Sequence, residues 1–367
     1  MRASRRWSSP RDTARKVTHV RIVDEAVGPY ERVVWAHDPI SGLQAVVAVH
    51  STALGPAVGG CRFYPYADQA TATLDALRLA EGMTLKSSAA GLNLGGGKSV
   101  IIGDPATVKT LELLRVFARV LDLLEGQYYT AEDVGTSTAD MDFLRTLTPY
   151  ALGVSAALGG CGDPSPYTAR GVVAAMRAGW QASTGTATLA GTRVAIQGAA
   201  GKVGGGVARL VAAEGAQVMV SDIAGGRVAA LASEIGGQVI APDRILTTEC
   251  GIFSPCAMGG ILSDESVPQL RCQLVCGSAN NQLEHDEASV LLQSRGIDYV
   301  PDFVASAGGI IAIAEERNGF DPDRANALAD DIGTVVRAIV EEARAGDESA
   351  LVVARRRAVR RIAQVPQ

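Results

Sequence analysis

RVAIQGAAGKVGGGVARLVAAEGAQVMVSD, residues 193–222, decides how the second half of the chain folds. Arg193 to Gln197 is a short apolar run of strand type. It runs into the glycine turn Gly198-Ala199-Ala200-Gly201-Lys202-Val203-Gly204, a helix-forming segment follows, and a second apolar run ends at Asp222. Glycines permit a tight turn and the close approach of a pyrophosphate, whose charge is held by the N-terminus of the following helix. Gly198, Gly201, Lys202, Val203 and Gly204 are therefore expected to hold a dinucleotide, with Asp222 accepting from the ribose hydroxyls. The acid would repel a 2′-phosphate, which favours NAD over NADP. Arg227 keeps NADP open, because a nearby arginine can accommodate that phosphate. A glycine pattern alone is weak, but here strand, turn, helix, strand and acid follow in order. The turn is one residue longer than the usual spacing, which could alter how the pyrophosphate sits.

Outward from this motif the chain alternates short apolar strands with helical spacers at 193–197, 217–220, 237–240, 251–253, 274–276 and 299–300. That pattern predicts an α/β fold with a doubly wound parallel sheet. A glycine-rich stretch at 159–164, before a helix over about 167–183, marks a domain boundary. The expected division is residues 156–334 as the dinucleotide-binding domain, and 18–155 with about 335–367 as a catalytic and oligomerisation domain. The tail from Pro322 is helical, and Arg355-Arg356-Arg357 with Arg360-Arg361 reads as a solvated helix face. Residues 1–17 are basic and without apolar periodicity, as in a disordered tail; a transit peptide is the lesser alternative.

The first half opens with two β-rich runs, Val33–Ala36 and Leu43–Val49, joined by a turn as a hairpin. Leu54–Pro65 is a glycine- and proline-rich loop with one arginine, Arg62, able to reach an anion. Asp68 is a candidate N-cap for a helix carrying Leu74, Leu77 and Ala80, which ends near Lys86. Lys86 and Lys98 lie twelve positions apart in GMTLKSSAAGLNLGGGKSVIIGD. Gly95 to Gly97 are expected to give the backbone left-handed freedom and let another molecule approach closely, presenting a cation to a cleft. The plainer reading is a surface loop with two solvated lysines. Leu114, Phe117, Leu121 and Leu124 form a helical stripe closed at Gly126. A short strand, Tyr128–Thr130, then delivers Asp133, while Asp140 or Asp142 could cap the next helix.

With 367 residues, 47% hydrophobic content, 20% charged residues and 41 glycines, the chain suits an α/β enzyme of two domains. A net charge of −5 gives no broad basic field for nucleic acid. No run is long enough to span a bilayer and no signal segment is evident, so a cytoplasmic protein is expected. Six scattered cysteines without a CxxC pair read as free thiols, and four dispersed histidines offer no metal-ligand spacing. Two lysines and an aspartate beside a dinucleotide suit hydride transfer coupled to proton transfer. A lysine can serve as the base near neutrality only if burial and a second cation lower its pKa from about 10.4 towards 7–8.

The blocks LGPAVGGCRFYPYA, GMTLKSSAAGLNLGGGKSVIIGDP, YYTAEDVGTSTADMD, GDPSPYTARGV, PCAMGG, GSANNQL and PDFVASAGG resemble the Glu/Leu/Phe/Val dehydrogenase superfamily. The likeness is greatest to the leucine, valine and phenylalanine dehydrogenases and covers about Val20 to Ile362. It implies that Lys86 binds the substrate carboxylate, Lys98 activates water, and Asp133 assists proton transfer at the amino group. Asn280 would lie near that carboxylate and the nicotinamide ribose. Arg62, Thr168, Ala257, Ser278 and Ala279 would contact the cofactor or line the cleft. The implied reaction is reversible, NAD-dependent oxidative deamination of an apolar L-amino acid to a 2-oxo acid and ammonia, by a homo-oligomer without metal. Ser306 stands where the family has asparagine, and Ala312 replaces a frequent polar residue, both on a segment that faces the cleft in the family. These departures keep open a specialised enzyme for aromatic amino acids such as tryptophan. A dinucleotide-binding homologue without catalysis is a third reading, opposed by the joint presence of Lys86, Lys98 and Asp133. Met83, Gly91, Leu92 and Ala305 are candidate pocket wall or core.

Overall fold

The computed structural model describes residues 19–364. The basic segment 1–17 lies outside them. Two six-stranded sheets organise the chain. The first holds β1 (Arg21–Val27), β2 (Tyr30–Asp38), β3 (Leu43–Ser51), β4 (Ala57–Tyr64), β5 (Gly95–Ile102) and β6 (Tyr128–Glu132), in the order β1-β2-β3-β5-β4-β6. The hairpin expected around Pro39 is the β2–β3 pair, with Asp38 opposite Leu43. From β1 to β5 the pairings are antiparallel, and β4 runs parallel to both β5 and β6.

Helix α1 (Gln69–Ala89) lies on this sheet, capped by Asp68, whose side chain accepts from Thr71 N. Its buried face is Ala72, Ala76 and Ala80, whereas Leu74 is exposed. Small residues face inward because the helix comes very close to β5. A Cβ on Gly96 would lie 2.0 Å from Thr84 N, and one on Gly95 would lie 1.9 Å from Ser51 O. The expected role of the glycine run is thereby corrected. Gly95, Gly96 and Gly97 are strand residues without left-handed backbone, and what approaches them is the protein itself: Ser51 of β3 at Gly95, Thr84 of α1 at Gly96 and the Tyr128 ring at Gly97. The positive φ falls at Gly91 instead, at +73°.

After α2 (Pro105–Val108), the amphipathic α3 (Leu111–Asp122) buries Leu114, Phe117 and Leu121 as its spacing predicts. Helix α4 (Thr138–Arg145) is capped by Ser137 with Asp140 in a reciprocal capping box, which leaves Asp133 out of the cap.

The second sheet, β7 (Arg193–Gln197), β8 (Gln217–Ser221), β9 (Gln238–Val239), β10 (Ile252–Pro255), β11 (Leu274–Val275) and β12 (Asp298–Tyr299), is parallel throughout. Its order, β12-β11-β10-β7-β8-β9, is that of a doubly wound dinucleotide fold, with the switch point between β7 and β10. Around it lie α5 (Ser165–Thr184), α6 (Lys202–Ala213), α7 (Gly225–Ile235), α8 (Glu287–Ser294), α9 (Asp302–Ala305) and α10 (Gly308–Glu315), followed by α11 (Pro322–Asp330), α12 (Ile332–Gly346) and α13 (Ala350–Ala363). Helix α13 returns to the end of α1, where Ser88 Oγ donates to Ala358 O at 2.8 Å and Arg361 donates to Leu92 O at 2.7 Å. Three of its arginines are in ion pairs: Arg355 with Asp286, Arg356 with Glu342 and Glu348, and Arg357 with Glu342.

All six cysteines are free thiols. Among the described residues no helix is long and apolar enough to cross a membrane, and no cluster of His, Cys, Asp and Glu is placed to hold a metal.

Candidate active site

Strand β5 carries Lys98 inward, and the turn after β6 carries Asp133 to meet it. Lys98 Nζ lies 2.5 Å from Asp133 Oδ2, with the lysine side chain 7% exposed. Gly60 of β4 leaves room for the pair, since a Cβ there would lie 2.7 Å from Asp133 Cβ and 3.2 Å from Lys98 Nζ. Arg62, two residues along the same strand, places Nε 3.1 Å from the same Asp133 oxygen and Nη1 2.9 Å from Asp75 Oδ2. Tyr66 donates its hydroxyl hydrogen to Asp75. Burial pushes the Asp133 carboxyl up, but Lys98 and Arg62 outweigh it and hold the group below the usual carboxylate range. Arg62, expected to contact a cofactor or line the cleft, is engaged by these two carboxylates. A depression of about 380 Å³ opens beside it, lined by Tyr66, Leu74, Asp75, Arg78 and Val134.

Lys86, in the last turn of α1, faces the second sheet. Its Nζ donates to Asn280 Oδ1 at 3.4 Å, across 194 residues of sequence. Burial, aided by the charge of Lys98, lowers its pKa to about 8, against the opposing pull of Asp302 and Asp133. Asp302, which sequence reasoning did not single out, accepts from Asn281 N beside Asn280. Burial raises its pKa, while Lys86 pulls it down. Asn281 itself sits at φ +53°, so the loop that presents Asn280 depends on this carboxylate. The only advance signal for Asp302 was its place after a strand at a helix start.

At the C-terminal ends of β7, β8 and β10 the glycine turn meets the Cys256–Ala257 segment. Gly198 has φ +77°, and a Cβ on it would lie 2.8 Å from Ala257 N. Gly204 is as confined, since a Cβ there would lie 2.3 Å from Gly198 O. Asp222 braces the turn: its Oδ2 accepts from Ala200 N at 3.0 Å while Oδ1 accepts from Ala224 N at 2.9 Å. Lys202 pairs with Asp163 at 3.0 Å, Arg227 is exposed, and Val203 is half-buried in the first turn of α6. Ala279 N donates to Pro255 O at 3.0 Å, which seats Ser278 and Ala279 beside this edge, and Thr168 lies against Gly309. The buried Ser221 hydroxyl and Gln197 Oε1, both at strand ends under the turn, have no protein partner. A bare glycine cradle, a helix start and unmet polar atoms fit a dinucleotide.

Ser306 is buried with its hydroxyl unpartnered, and Ala305 is fully buried. The whole of α10 is buried, so Ala312 is a core residue and not part of a cleft wall. Met83 and Leu92 pack half-buried against the main core. Gly91 forms the exposed turn after α1.

The family model of the Glu/Leu/Phe/Val dehydrogenase dimerisation domain matches residues 30–150, and that of the glutamate/leucine/phenylalanine/valine dehydrogenases matches residues 225–366. Leucine dehydrogenase of Bacillus cereus is 42% identical over 336 residues, 92% of either chain. Valine dehydrogenase of Streptomyces albus is 46% identical over 320 residues, 86% of this chain and 88% of the relative. The crystal structure of L-tryptophan dehydrogenase from Nostoc punctiforme superposes with a TM-score of 0.82 at 35% identity, covering 92% of this chain and 97% of the other. By these end-to-end matches, and by a doubly wound sheet facing a lysine–aspartate pair, the chain belongs to the Glu/Leu/Phe/Val dehydrogenase family and is an amino acid dehydrogenase.

Proposed function

We propose that this chain catalyses NAD-dependent, reversible oxidative deamination of a branched-chain L-amino acid to its 2-oxo acid and ammonia. The observation that carries the reading is the 2.5 Å Lys98–Asp133 pair, beside a second lysine that reaches Asn280 from across the cleft. Lys86 is the carboxylate anchor, and Asn280 steadies it. Bound at the glycine turn, the nicotinamide would supply the hydride acceptor. Lys98 takes a proton from water as that water adds to the substrate iminium. Asp133, ionised at the start, takes a proton from the substrate ammonium before hydride leaves Cα and returns it to the amino nitrogen of the carbinolamine; as the C–N bond breaks, the hydroxyl proton passes to the departing ammonia. Asp222, with its negative charge beside the glycine turn, supports NAD over NADP.

The leucine and valine dehydrogenases among the relatives support a branched-chain substrate. The matched dimerisation domain supports a homo-oligomer, and the return of α13 to α1 supports residues 18–155 with about 335–367 as one unit and 156–334 as the other. A second reading, a dehydrogenase of aromatic amino acids, is favoured by the likeness to the L-tryptophan dehydrogenase. The test is NADH formation at alkaline pH with L-leucine, L-valine, L-phenylalanine and L-tryptophan. Preference for leucine or valine is the expected result, and preference for tryptophan selects the second reading. No turnover with any of the four, alongside measurable NAD binding, would sink both.

A further inference from the structure

Asp133 receives two cations on one oxygen. Lys98 Nζ and Arg62 Nε both converge on Oδ2, at 2.5 and 3.1 Å. The lysine is the partner that must change charge, since a group that takes and returns a proton cannot be a constant counter-ion. Without a second cation the aspartate would face a neutral amine while only 22% exposed, and an unpaired carboxylate there is costly. A guanidinium stays charged throughout any neutral or alkaline cycle. Arg62 in turn is prevented from swinging. Its Nη1 is held 2.9 Å from Asp75, which also accepts from Tyr66, and its Nε edge is left for Asp133.

We propose, resting on the reading of function above, that Arg62 is a positioning residue for Asp133. The Tyr66–Asp75–Arg62 chain fixes the carboxylate against Gly60, whatever the charge on Lys98. It is a hydrogen-bonded support running from α1 through β4 to the reacting groups. Lysine cannot replace it, because one ammonium does not supply the two edges of the guanidinium fork. The carboxylate anchor Lys86 lies on a different segment, so the support governs the chemical step more than substrate binding.

The test compares Arg62→Ala, Arg62→Lys, Asp75→Asn and Tyr66→Phe with the intact chain, each checked by thermal melting. Arg62→Ala is expected to lower kcat about 10²-fold with KM little changed, the scale of a misplaced catalytic group. Arg62→Lys recovers only part of that loss, and Asp75→Asn and Tyr66→Phe lose several-fold in kcat. The depression beside Arg62 gives small solutes access, so added guanidinium, far below denaturing concentrations, restores Arg62→Ala saturably while sodium chloride at equal ionic strength does not. A folded Arg62→Ala that keeps the intact kcat, a loss confined to KM, or full recovery by Arg62→Lys would overturn the proposal. Should Arg62→Ala fail to fold, intact kcat in both Asp75→Asn and Tyr66→Phe overturns it equally. Absence of turnover in the intact chain would instead count against the reading of function.

Discussion

Three of the residues at the centre of the site, Lys86, Lys98 and Asp133, stand out in the sequence because each sits in a short, distinctive block. Their pairings do not. Arg62 is 71 residues from Asp133, and Asp302 lies far beyond Lys86, so only the folded chain brings those charges together. The charge balance at Lys86 has a measurable consequence. With a pKa of about 8, lowered chiefly by burial and then by Lys98 against Asp302 and Asp133, the lysine is protonated below that pH and neutral above it. A carboxylate ligand needs the protonated form. The inhibition constant of 4-methylpentanoate against the amino acid should therefore be flat below about pH 8 and weaken roughly tenfold per pH unit above it. The stability term has the complementary sign. Between about 8 and 10.5 the folded chain holds fewer protons at Lys86 than the unfolded chain, so this residue's contribution rises with pH across that window. An inhibition constant that stays flat through pH 10 would show that Lys86 is not the carboxylate anchor.

Among the elements, the parallel strands of the second sheet were legible because buried parallel strands are apolar runs set between helices. The first sheet was harder to read. Its glycines look like a loop in one dimension, since sequence shows freedom at a glycine but not whether that freedom or its lack of bulk is being used. In the fold it is the lack of bulk: α1 can settle on β5 because Gly96 has no side chain. The same closeness explains why Leu74 faces outward while alanines face in, against simple periodicity. Gly96→Ala would put a carbon 2.0 Å from Thr84 N, and backbone has no rotamer with which to yield. The helix must lift, and Lys86 and Lys98, on either side of the contact, must move apart. The expected cost is at the upper end of about 1–3 kcal/mol or beyond, with loss of turnover while NAD binding persists. Gly91→Ala, in open space but at φ +73°, should cost only about 1 kcal/mol and leave activity in place. Equal melting temperatures for Gly96→Ala and the intact chain would refute this account of the glycine run.

At the scale of the molecule, the question is what holds the two sheets so that Lys86 meets Asn280. Helix α13 is one tie: Ser88 and Arg361 join it to the end of α1, and its Arg355 pairs with Asp286, just before α8 of the second sheet's layer. The second tie is at Glu316, which follows α10 and had no signal in the sequence: a glutamate in a helical run reads as a surface residue. It is 8% exposed. Its carboxylate accepts from Gly153 N at 2.9 Å and from Cys161 N at 2.8 Å, at either end of the segment by which the chain leaves the first sheet. Arg317 beside it lies over the Tyr129 ring of β6, 4.9 Å from the centroid. A carboxylate can accept on both oxygens, whereas an amide turns its NH₂ towards one of those N–H groups. Glu316→Gln should therefore leave a buried donor unpaired and cost about 1–3 kcal/mol, read as a lower melting temperature. Because the segment sets how the second sheet faces the first, the variant should also raise KM for the amino acid more than the Kd for NAD, which binds within one unit. An unchanged melting temperature, or a weakening confined to NAD, would show that Glu316 does not tie the two sheets together.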